Sequence, residues 1–434
     1  MTVLILGGGI AGLSLAHFLK GKSVILEKEQ EIGGLCRSFA LNGVSYDVGP
    51  HILFSKNTEV LEFHKSLVKT NAIRRSNKIF HKGKLVKYPF ENDLAALDEE
   101  ERDYCLKEFL NNPYEDYVPQ NMLQFFLKTF GEGITKLYLQ PYNEKIWKLD
   151  PSCMDTQMVE RIPKPPKEDI LKSAQGIETE GYTHQLNFYY PQAGGMESLV
   201  QAYARLIQEK AEIKRGVAIT RITKGEGGWT VLTEDRTYSG KTLVNCMPLQ
   251  ELFKLLDAPE EIRKAVDGLR YNSLCILAIQ VKEDQIGNHF ALTFADKDLL
   301  FHRVSKLNFL GEAYRLKGGG STLLVEITFR PHSFLESLSQ EKIREKVLRD
   351  LEKTGLIRRE DVIAMEMRRF KYAYVVYDLN HRKNMDIILG YLNRLGIHSC
   401  GRFAEFLYIN SDVVVERAKA LAGRLEEHQD GQKS

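Results

Sequence analysis

Three glycines near the amino terminus have a spacing that suits binding of a dinucleotide. Gly7, Gly9 and Gly12 follow the apolar run Val3–Leu6 and precede a stretch with apolar residues at helical spacing. In such a strand–turn–helix unit, the first glycine permits a tight turn and the second lets a pyrophosphate approach the backbone. The third lets the helix pack closely on the strand. The helix start then offers unbonded N–H groups to the phosphates, so we predict a dinucleotide site here.

An acidic residue and a second pair of glycines extend this site. Glu27 comes 20 residues after Gly7, at the end of a second apolar run, where a carboxylate can accept a hydrogen bond from a ribose hydroxyl. Gly33 and Gly34 indicate another close approach of backbone to cofactor, and Arg37 can contact a phosphate or the ring edge. FAD and NAD share the first glycine motif, whereas the second pair of glycines favours FAD.

Composition restricts the class of protein. The chain has 434 residues, and its 60 Lys and Arg nearly balance its 58 Asp and Glu, which gives no support to a nucleic-acid partner. No apolar run approaches the length of a membrane span, and a chain that starts on a strand predicts no secretory signal. Six scattered cysteines predict reduced thiols in a cytoplasmic protein. No cluster has the spacing of metal ligands, so we predict no metal site.

The elements that must position these residues alternate between apolar strands and amphipathic helices. Strand character returns in residues 397–410, which indicates that the middle of the chain is inserted into a discontinuous nucleotide-binding domain. The predicted class is α/β, with a discontinuous Rossmann-like FAD-binding domain, a helical insertion and a second, β-sheet substrate domain. The predicted FAD-binding domain comprises residues 1–70, 191–248 and 385–425. The helical insertion is 71–190, the substrate domain is 249–384, and a flexible tail is 426–434.

Further motifs resemble the superfamily of flavin-dependent amine oxidases and protoporphyrinogen oxidases, and most closely the UDP-galactopyranose mutase family. They are Glu27-Lys28 with Ile32-Gly33-Gly34 and Ser38, the Tyr-Asp-Val-Gly-Pro-His-Ile loop of residues 46–52, the Tyr-Asn-Glu-Lys-Ile-Trp segment of residues 142–147, and residues 401–410. These segments span nearly the whole chain in the order of that family. The resemblance implies a flavoenzyme whose FAD-binding domain is of the GR2 type.

The resemblance also implies a set of FAD contacts. In such proteins a backbone position like Val217 holds the adenine, a guanidinium like that of Arg402 meets the diphosphate, and a residue like Asn410 opens the last helix. The implied cofactor-binding residues are Gly7, Gly9, Gly12, Glu27, Gly33, Gly34, Arg37, Val217, Gly401, Arg402 and Asn410.

Catalytic candidates follow from the same resemblance. His51 stands where the family places a histidine against the flavin ring, Arg303 matches one of two active-site arginines, and Tyr374 belongs to a matching Tyr-Val-Val segment. The second arginine falls near Pro165, where this chain has none. Lys164 or Lys167 could substitute as a point charge, although not as a bidentate partner.

Four substrate-binding candidates complete the expectation. Trp147 and Tyr190 could line the substrate site, although core packing explains either aromatic equally well. Asn272 stands where the family carries a basic residue, and Phe406 replaces a tyrosine whose hydroxyl would contact phosphates. These departures remove charge and hydroxyl groups from the diphosphate site. They leave open a related nucleotide sugar, a lipid-linked substrate or an amine.

The leading hypothesis is therefore an enzyme like UDP-galactopyranose mutase that acts on a nucleotide-activated sugar. Nucleophilic catalysis at N5 of reduced FAD would isomerise the sugar ring with no net redox change, in surface polysaccharide biosynthesis. The alternative is an FAD-dependent oxidoreductase of the amine oxidase or protoporphyrinogen oxidase type, and a third class is a flavin-binding protein with little catalysis. The expected partner is a small molecule. The oligomeric state stays open, a dimer included.

Overall fold

The computed structural model describes residues 2–180 and 186–431. Met1, residues 181–185 and residues 432–434 lie outside it, and with them parts of the predicted amino-terminal domain, insertion and tail. The strands are β1 (Val3–Leu6), β2 (Ser23–Leu26), β3 (Ser38–Leu41), β4 (Val44–Asp47), β5 (Thr70–Arg74), β6 (Asn77–His81), β7 (Lys84–Lys87), β8 (Asn187–Pro191), β9 (Ala211–Lys214), β10 (Ile219–Gly225), β11 (Gly228–Thr233), β12 (Thr237–Gly240), β13 (Thr242–Asn245), β14 (Arg270–Val281), β15 (Ala291–Phe294), β16 (Arg303–Lys306), β17 (Ser321–Phe329), β18 (Val362–Val376) and β19 (Ile397–Ser399). The helices are α1 (Ile10–Phe18), α2 (Thr58–Leu67), α3 (Glu99–Leu110), α4 (Met122–Ile134), α5 (Gln140–Trp147), α6 (Lys167–Ala174), α7 (Glu197–Ile207), α8 (Leu249–Leu252), α9 (Glu260–Asp267), α10 (Phe334–Ser337), α11 (Gln340–Lys353), α12 (His381–Leu395) and α13 (Ser411–Gly431).

A five-stranded parallel sheet carries the glycine motif. Its order is β19-β13-β1-β2-β9, and every residue of the central strand β1 is buried, as expected of a strand covered on both faces. Helix α1 crosses over from β1 to β2, and strands from the middle and end of the chain complete the sheet. This arrangement confirms the predicted α/β class with a discontinuous Rossmann-like domain.

A seven-stranded mixed sheet forms the second half of the molecule. Its order is β18-β14-β17-β16-β15-β6-β7, and all nine residues of β17 are buried. Strands β6 and β7 come from the segment 71–190, so that segment contributes strands to this sheet besides its helices. The predicted domain boundaries stay predictions.

Helix α5 packs on β17 of the second sheet, and α3 packs on both α4 and α6. Helices α3 and α4 approach closely because two glycines of α4 leave room: a Cβ at Gly131 would lie 2.3 Å from the Glu108 carbonyl oxygen, and one at Gly133 would lie 2.7 Å from the Cys105 Cα. A π-helical turn over Thr135–Leu139 links α4 to α5. This turn places aromatic residues of α5 toward the sheet.

Two segments differ from the sequence-based expectation. Of residues 397–410, only Ile397–Ser399 form a strand, because the chain then bends through Gly401, whose φ of 114° ends the extended conformation. Helix α13 continues through residues 426–431, which were predicted as part of a flexible tail. No helix within the described ranges is both long and apolar enough to cross a membrane.

Candidate functional site

The first glycine loop has no room for a side chain at Gly12. A Cβ at Gly12 would lie 2.2 Å from the Gly7 carbonyl oxygen, so helix α1 can pack against this turn only with glycine there. The Gly33 N–H donates to the Gly8 carbonyl at 2.8 Å, and a Cβ at Gly34 would lie 3.4 Å from the Gly9 Cα. The two glycine segments therefore meet at the start of α1 and expose backbone there.

The acid after β2 is held by backbone donors. Glu27 is buried, and its two carboxylate oxygens accept from the N–H groups of Gly8 at 2.8 Å and Glu29 at 2.9 Å. The Val217 N–H donates to the Glu27 carbonyl oxygen at 2.9 Å, which places Val217 beside the acid. This is the geometry that a ribose and an adenine would need at the end of β2.

The closing segment packs against the same helix. A Cβ at Gly401 would lie 2.8 Å from the Ala11 Cβ, so this glycine brings residues 401–410 onto the start of α1. Asn410 directly precedes helix α13, as predicted. Arg37, in the second glycine segment, donates from Nε to the Gly34 carbonyl at 3.1 Å. The residues proposed to hold FAD thus surround one helix start, and this glycine-lined cradle fits a dinucleotide.

A cleft of about 260 Å³ opens between the second sheet, the loop after β4 and the start of α13. It brings together five of the predicted residues, namely His51, Arg303, Tyr374, Arg402 and Asn410. The lining residues come from the loop after β4, from the second sheet, from α5 and from the segment before α13. The described lining residues are Leu35, Val48, Gly49, Pro50, His51, Ile52, Phe54, Arg75, Asn77, Tyr88, Tyr142, Leu274, Phe290, Ala291, Thr293, Arg303, Ala373, Tyr374, Arg402, Tyr408, Asn410 and Ser411.

An ion pair across neighbouring strands fixes Arg303. Its Nε and one terminal nitrogen donate to the two carboxylate oxygens of Glu326 at 2.5 and 2.6 Å, and β16 and β17 pair these residues directly. Burial alone would lower the pKa of Arg303, but the adjacent carboxylate raises it overall. The guanidinium is therefore cationic and held in one orientation at the cleft.

His51 faces the cleft as a neutral imidazole. Burial, followed by the charges of Arg402 and Arg303, lowers its pKa to about 3. Its Nδ1 is buried and has no hydrogen-bond partner in the described part of the chain. A buried, unsatisfied ring nitrogen costs free energy unless a ligand bonds to it, which fits the expected position of a flavin ring beside this loop.

Tyrosines form another wall of the cleft. Burial raises the pKa of Tyr142 to about 12 and the pKa of Tyr374 well above its ordinary value. Both phenols therefore keep their protons at neutral pH and can donate hydrogen bonds. The Arg402 guanidinium donates to the Ile409 and Ala373 carbonyls at 2.9 and 3.2 Å and lies over the Tyr408 ring at 5.1 Å.

Two predicted substrate contacts lie behind this wall. Trp147 packs its edge against Tyr374 and Tyr408, at ring-centroid distances of 5.9 and 5.3 Å, and its Nε1 donates to Asn143. Asn272 is fully buried, and its amide donates to the carbonyls of residues 146 and 147 at 3.0 and 2.8 Å. Neither residue lines the cleft. Because Asn272 donates to two carbonyls at the end of α5, it positions that end of the helix.

The other two predicted substrate contacts are also core residues. The Tyr190 hydroxyl donates to the buried Asp47 carboxylate at 2.7 Å. Phe406 is fully buried, with φ of 49°, and its carbonyl oxygen accepts from His381 Nε2 at 2.9 Å. Neither side chain reaches the cleft, so the structure does not bring them together with Arg303.

The lysines considered as substitutes for the second arginine point away from the cleft. Lys164 and Lys167 are exposed, and their ammonium groups lie over the rings of Phe125 at 4.8 Å and Phe109 at 5.9 Å. Neither lysine is among the residues lining the cleft.

Several lining residues escaped the sequence reasoning. Arg75, Asn77 and Tyr88 belong to a segment that was predicted as helical. Glu326, which does not line the cleft but pairs with Arg303, was not considered at all. One signal was present: Glu326 is the only charged residue in the apolar run Ser321–Phe329, and a buried carboxylate requires a partner. Nothing in the sequence identifies that partner as Arg303.

A family model described as flavin containing amine oxidoreductase matches residues 10–384. Among curated proteins, farnesylcysteine lyase from Arabidopsis thaliana is 36% identical over 72 residues. That match covers 14% of this chain and only 14% of the length of that relative.

Solved structures share the fold over nearly the whole chain. A reduced UDP-galactopyranose mutase is 24% identical, with a TM-score of 0.90 and coverage of 98% of this chain and 95% of that one. An Exiguobacterium protein described as a protoporphyrinogen oxidase is 17% identical, with a TM-score of 0.78 and coverage of 98% and 99%. At these identities the likeness concerns the fold.

Proposed function

The chain belongs to the family of flavin-containing amine oxidoreductases and its cofactor is FAD; from this premise we propose that it isomerises the sugar of a nucleoside diphosphate sugar. The reaction has no net redox change and belongs to surface polysaccharide biosynthesis in the cytoplasm. The free state of all six cysteines supports a reducing compartment. When bound, reduced FAD supplies a nucleophile at N5.

The charge of the cleft carries this proposal. Arg75, Arg303 and Arg402 line it, whereas none of its described lining residues is Asp or Glu. The nearby Glu326 is engaged by Arg303, and His51 is neutral. With Arg402 implied at the cofactor's diphosphate, Arg75 and Arg303 face the substrate, and guanidinium groups in a partly buried cleft attract phosphates and repel an ammonium group. The observation therefore favours an anionic substrate over an amine.

Residues of this chain have distinct roles in the proposed reaction. Arg303 binds a phosphate oxygen of the leaving diphosphate, where negative charge develops, and Glu326 keeps the guanidinium oriented. Tyr374 and Tyr142 present protonated hydroxyls to the sugar or the phosphates. His51 offers a neutral ring to the flavin, and Trp147 supports the tyrosines from behind and helps to exclude water.

A titration of the FAD-loaded protein tests the proposal. The oxidised and dithionite-reduced forms are titrated with UDP-, dTDP- and GDP-sugars and with simple amines, and flavin absorbance reports binding. We expect at least one nucleotide sugar to bind, with a lower dissociation constant for the reduced form. Turnover should require a reductant without consuming it stoichiometrically. The matched control is the same sugar without its nucleotide, which should not bind.

Three outcomes would contradict the proposal. Bleaching of oxidised flavin by an amine, without dithionite, would establish an oxidoreductase of the amine oxidase type. Binding of free sugar as tight as that of the nucleotide sugar would remove the role of the diphosphate. If no compound turns over, and the double variant Arg303→Ala, His51→Ala keeps the biological function, the protein is a flavin-binding protein with little catalysis.

A further inference from the structure

A diphosphate with two negative charges needs more than one cationic contact, and Arg303 already shares its charge with Glu326. Neither Lys164 nor Lys167 can supply the second contact, because both lie outside the cleft. We propose that Arg75 supplies it, as a residue that determines specificity for a nucleoside diphosphate. The proposal rests on the function proposed above and names the residue that recognises the substrate's phosphates.

Strand alternation explains why Arg75 and its neighbour face opposite ways. Arg74 ends β5 and turns to the surface, where its side chain is 66% exposed and pairs with Glu180. Successive side chains of an extended segment point to opposite sides, and Arg75 is the one that lines the cleft. The pair therefore offers two adjacent arginines, one in the cleft and one outside it.

The surroundings of Arg75 suit a tight contact with an anion. Its backbone N–H donates to the Leu186 carbonyl at 2.7 Å, which fixes the start of the side chain. Its guanidinium lies 6.0 Å from the centre of the buried Phe188 ring, and Phe290 also lines this part of the cleft. Apolar neighbours lower the local dielectric, so a charge-assisted hydrogen bond here is stronger than one in water.

Strand register places Arg75 and Arg303 on the same side of the cleft. Two residues after Arg75, Asn77 pairs with Ala291 on the neighbouring strand β15. On the other side of β15, Thr293 pairs with Arg303. Asn77, Ala291 and Thr293 line the cleft between Arg75 and Arg303, so the two arginines face the same cavity. Two planar guanidinium groups on long side chains in one cavity can each bind a phosphate of a diphosphate.

The test compares Arg75→Ala and Arg75→Lys with the matched control Arg74→Ala. Calorimetric titrations of the FAD-loaded proteins use UDP, UMP, uridine and inorganic pyrophosphate. We expect Arg75→Ala to raise the dissociation constants of UDP and pyrophosphate by about 30-fold or more, with no change for uridine. Arg75→Lys should recover only part of this loss, because lysine is not bidentate, and Arg74→Ala should have no effect.

Other outcomes overturn the proposal or separate it from the proposed function. Equal pyrophosphate binding by Arg75→Ala and the native protein overturns it, and so does a loss that is as large for uridine as for UDP. If Arg75→Ala weakens UDP-glucuronate but not UDP-glucose, the arginine holds a sugar carboxylate, and the diphosphate role is wrong. If pyrophosphate binding depends on Arg75 but UDP binds no better than pyrophosphate, the anion site stands and the nucleotide-sugar function fails.

Discussion

The FAD cradle and the substrate cleft are built in opposite ways. The cradle uses backbone: the glycine turns after β1 and β2 meet at the start of α1, and a Cβ at Gly12 would clash with the Gly7 carbonyl. The cleft uses side chains from distant parts of the chain, such as Arg75, Tyr142 and Arg303. Recognition of the cofactor by backbone requires glycine at set positions. Recognition of the substrate by side chains depends on the charge of the cleft, which substitutions can change to suit another substrate.

This contrast explains how a chain can keep a fold and cofactor while its substrate site departs from that of its relatives. The cradle depends on a few local turns, in which Gly12 leaves no room for a Cβ and Gly9 leaves open space for a pyrophosphate. The cleft depends on the charge balance among Arg75, Arg303, Glu326 and Arg402, which a substitution at Arg75 can alter while the buried Arg303–Glu326 pair stays in place. Four predictions test whether the two regions are separable, beginning with the largest expected effect.

Gly9→Leu should abolish FAD binding, with a loss in affinity on the order of 1,000-fold, because its side chain would fill the space between Gly9 and Gly34 that a pyrophosphate needs. Flavin absorbance of the purified protein measures this. The matched control is Gly423→Leu, at an open position of α13 where a Cβ has no neighbour within 4 Å. Stoichiometric FAD in Gly9→Leu would overturn the assignment of this loop.

Arg303→Ala should lower the free energy of unfolding by about 3–5 kcal/mol, because it leaves Glu326 buried without its partner. Denaturant unfolding measures the loss. The double variant Arg303→Ala, Glu326→Gln removes the stranded charge and should recover most of the stability without recovering nucleotide binding. If the double variant binds UDP as the native protein does, Arg303 is structural only.

Glu91→Gln should change the pH dependence of stability. Burial raises the pKa of Glu91 to about 8, its carboxylate oxygens have no hydrogen-bond partner among the described residues, and the ring of its neighbour Phe90 stacks on Tyr138. A raised carboxyl pKa stabilises the folded state fully below the unfolded pKa, and this contribution is lost as pH rises through 8. Glu91→Gln should therefore match the native protein near pH 4.5.

Above pH 8, Glu91→Gln should be more stable than the native protein by roughly 2–4 kcal/mol, because an amide need not ionise in the core. Urea midpoints at a series of pH values measure the difference. Parallel curves for the two proteins would show that Glu91 titrates as an exposed acid. FAD content should stay unchanged, since Glu91 is not among the residues that line the cleft or surround the start of α1.

Asn272→Ala should lower stability by about 1–3 kcal/mol, because two carbonyls at the end of α5 lose a buried donor. The dissociation constant of UDP should stay within about twofold, since Asn272 does not line the cleft. The surface variant Asn111→Ala, which also removes an amide donor, should be nearly neutral. A large loss of UDP binding with unchanged stability would show that Asn272 contacts the substrate.

Local patterns allowed much of the cradle to be predicted. Gly7, Gly9 and Gly12, the acid at Glu27 and the helix start after Asn410 are readable because each depends on neighbours a few residues away. The residues expected to contact substrate could not be predicted in this way: Tyr190, Asn272 and Phe406 are packed away from the cleft. An aromatic or amide side chain gives no sign in the sequence of which face it presents, because burial depends on elements far along the chain.

By itself, therefore, the sequence determined the α/β class and the flavin family. The class follows from strand–turn–helix patterns and the family from motifs along the chain that resemble flavin-dependent amine oxidases, whereas the individual FAD contacts stay predictions. Only the tertiary structure decided the charge of the cleft. Arg303 meets Glu326 because strands β16 and β17 pair in one register, and a shift by one residue would turn either side chain to the other face. Arg75 reaches the cleft, and Arg74 does not, for the same reason: strand alternation assigns faces only once the sheets are assembled.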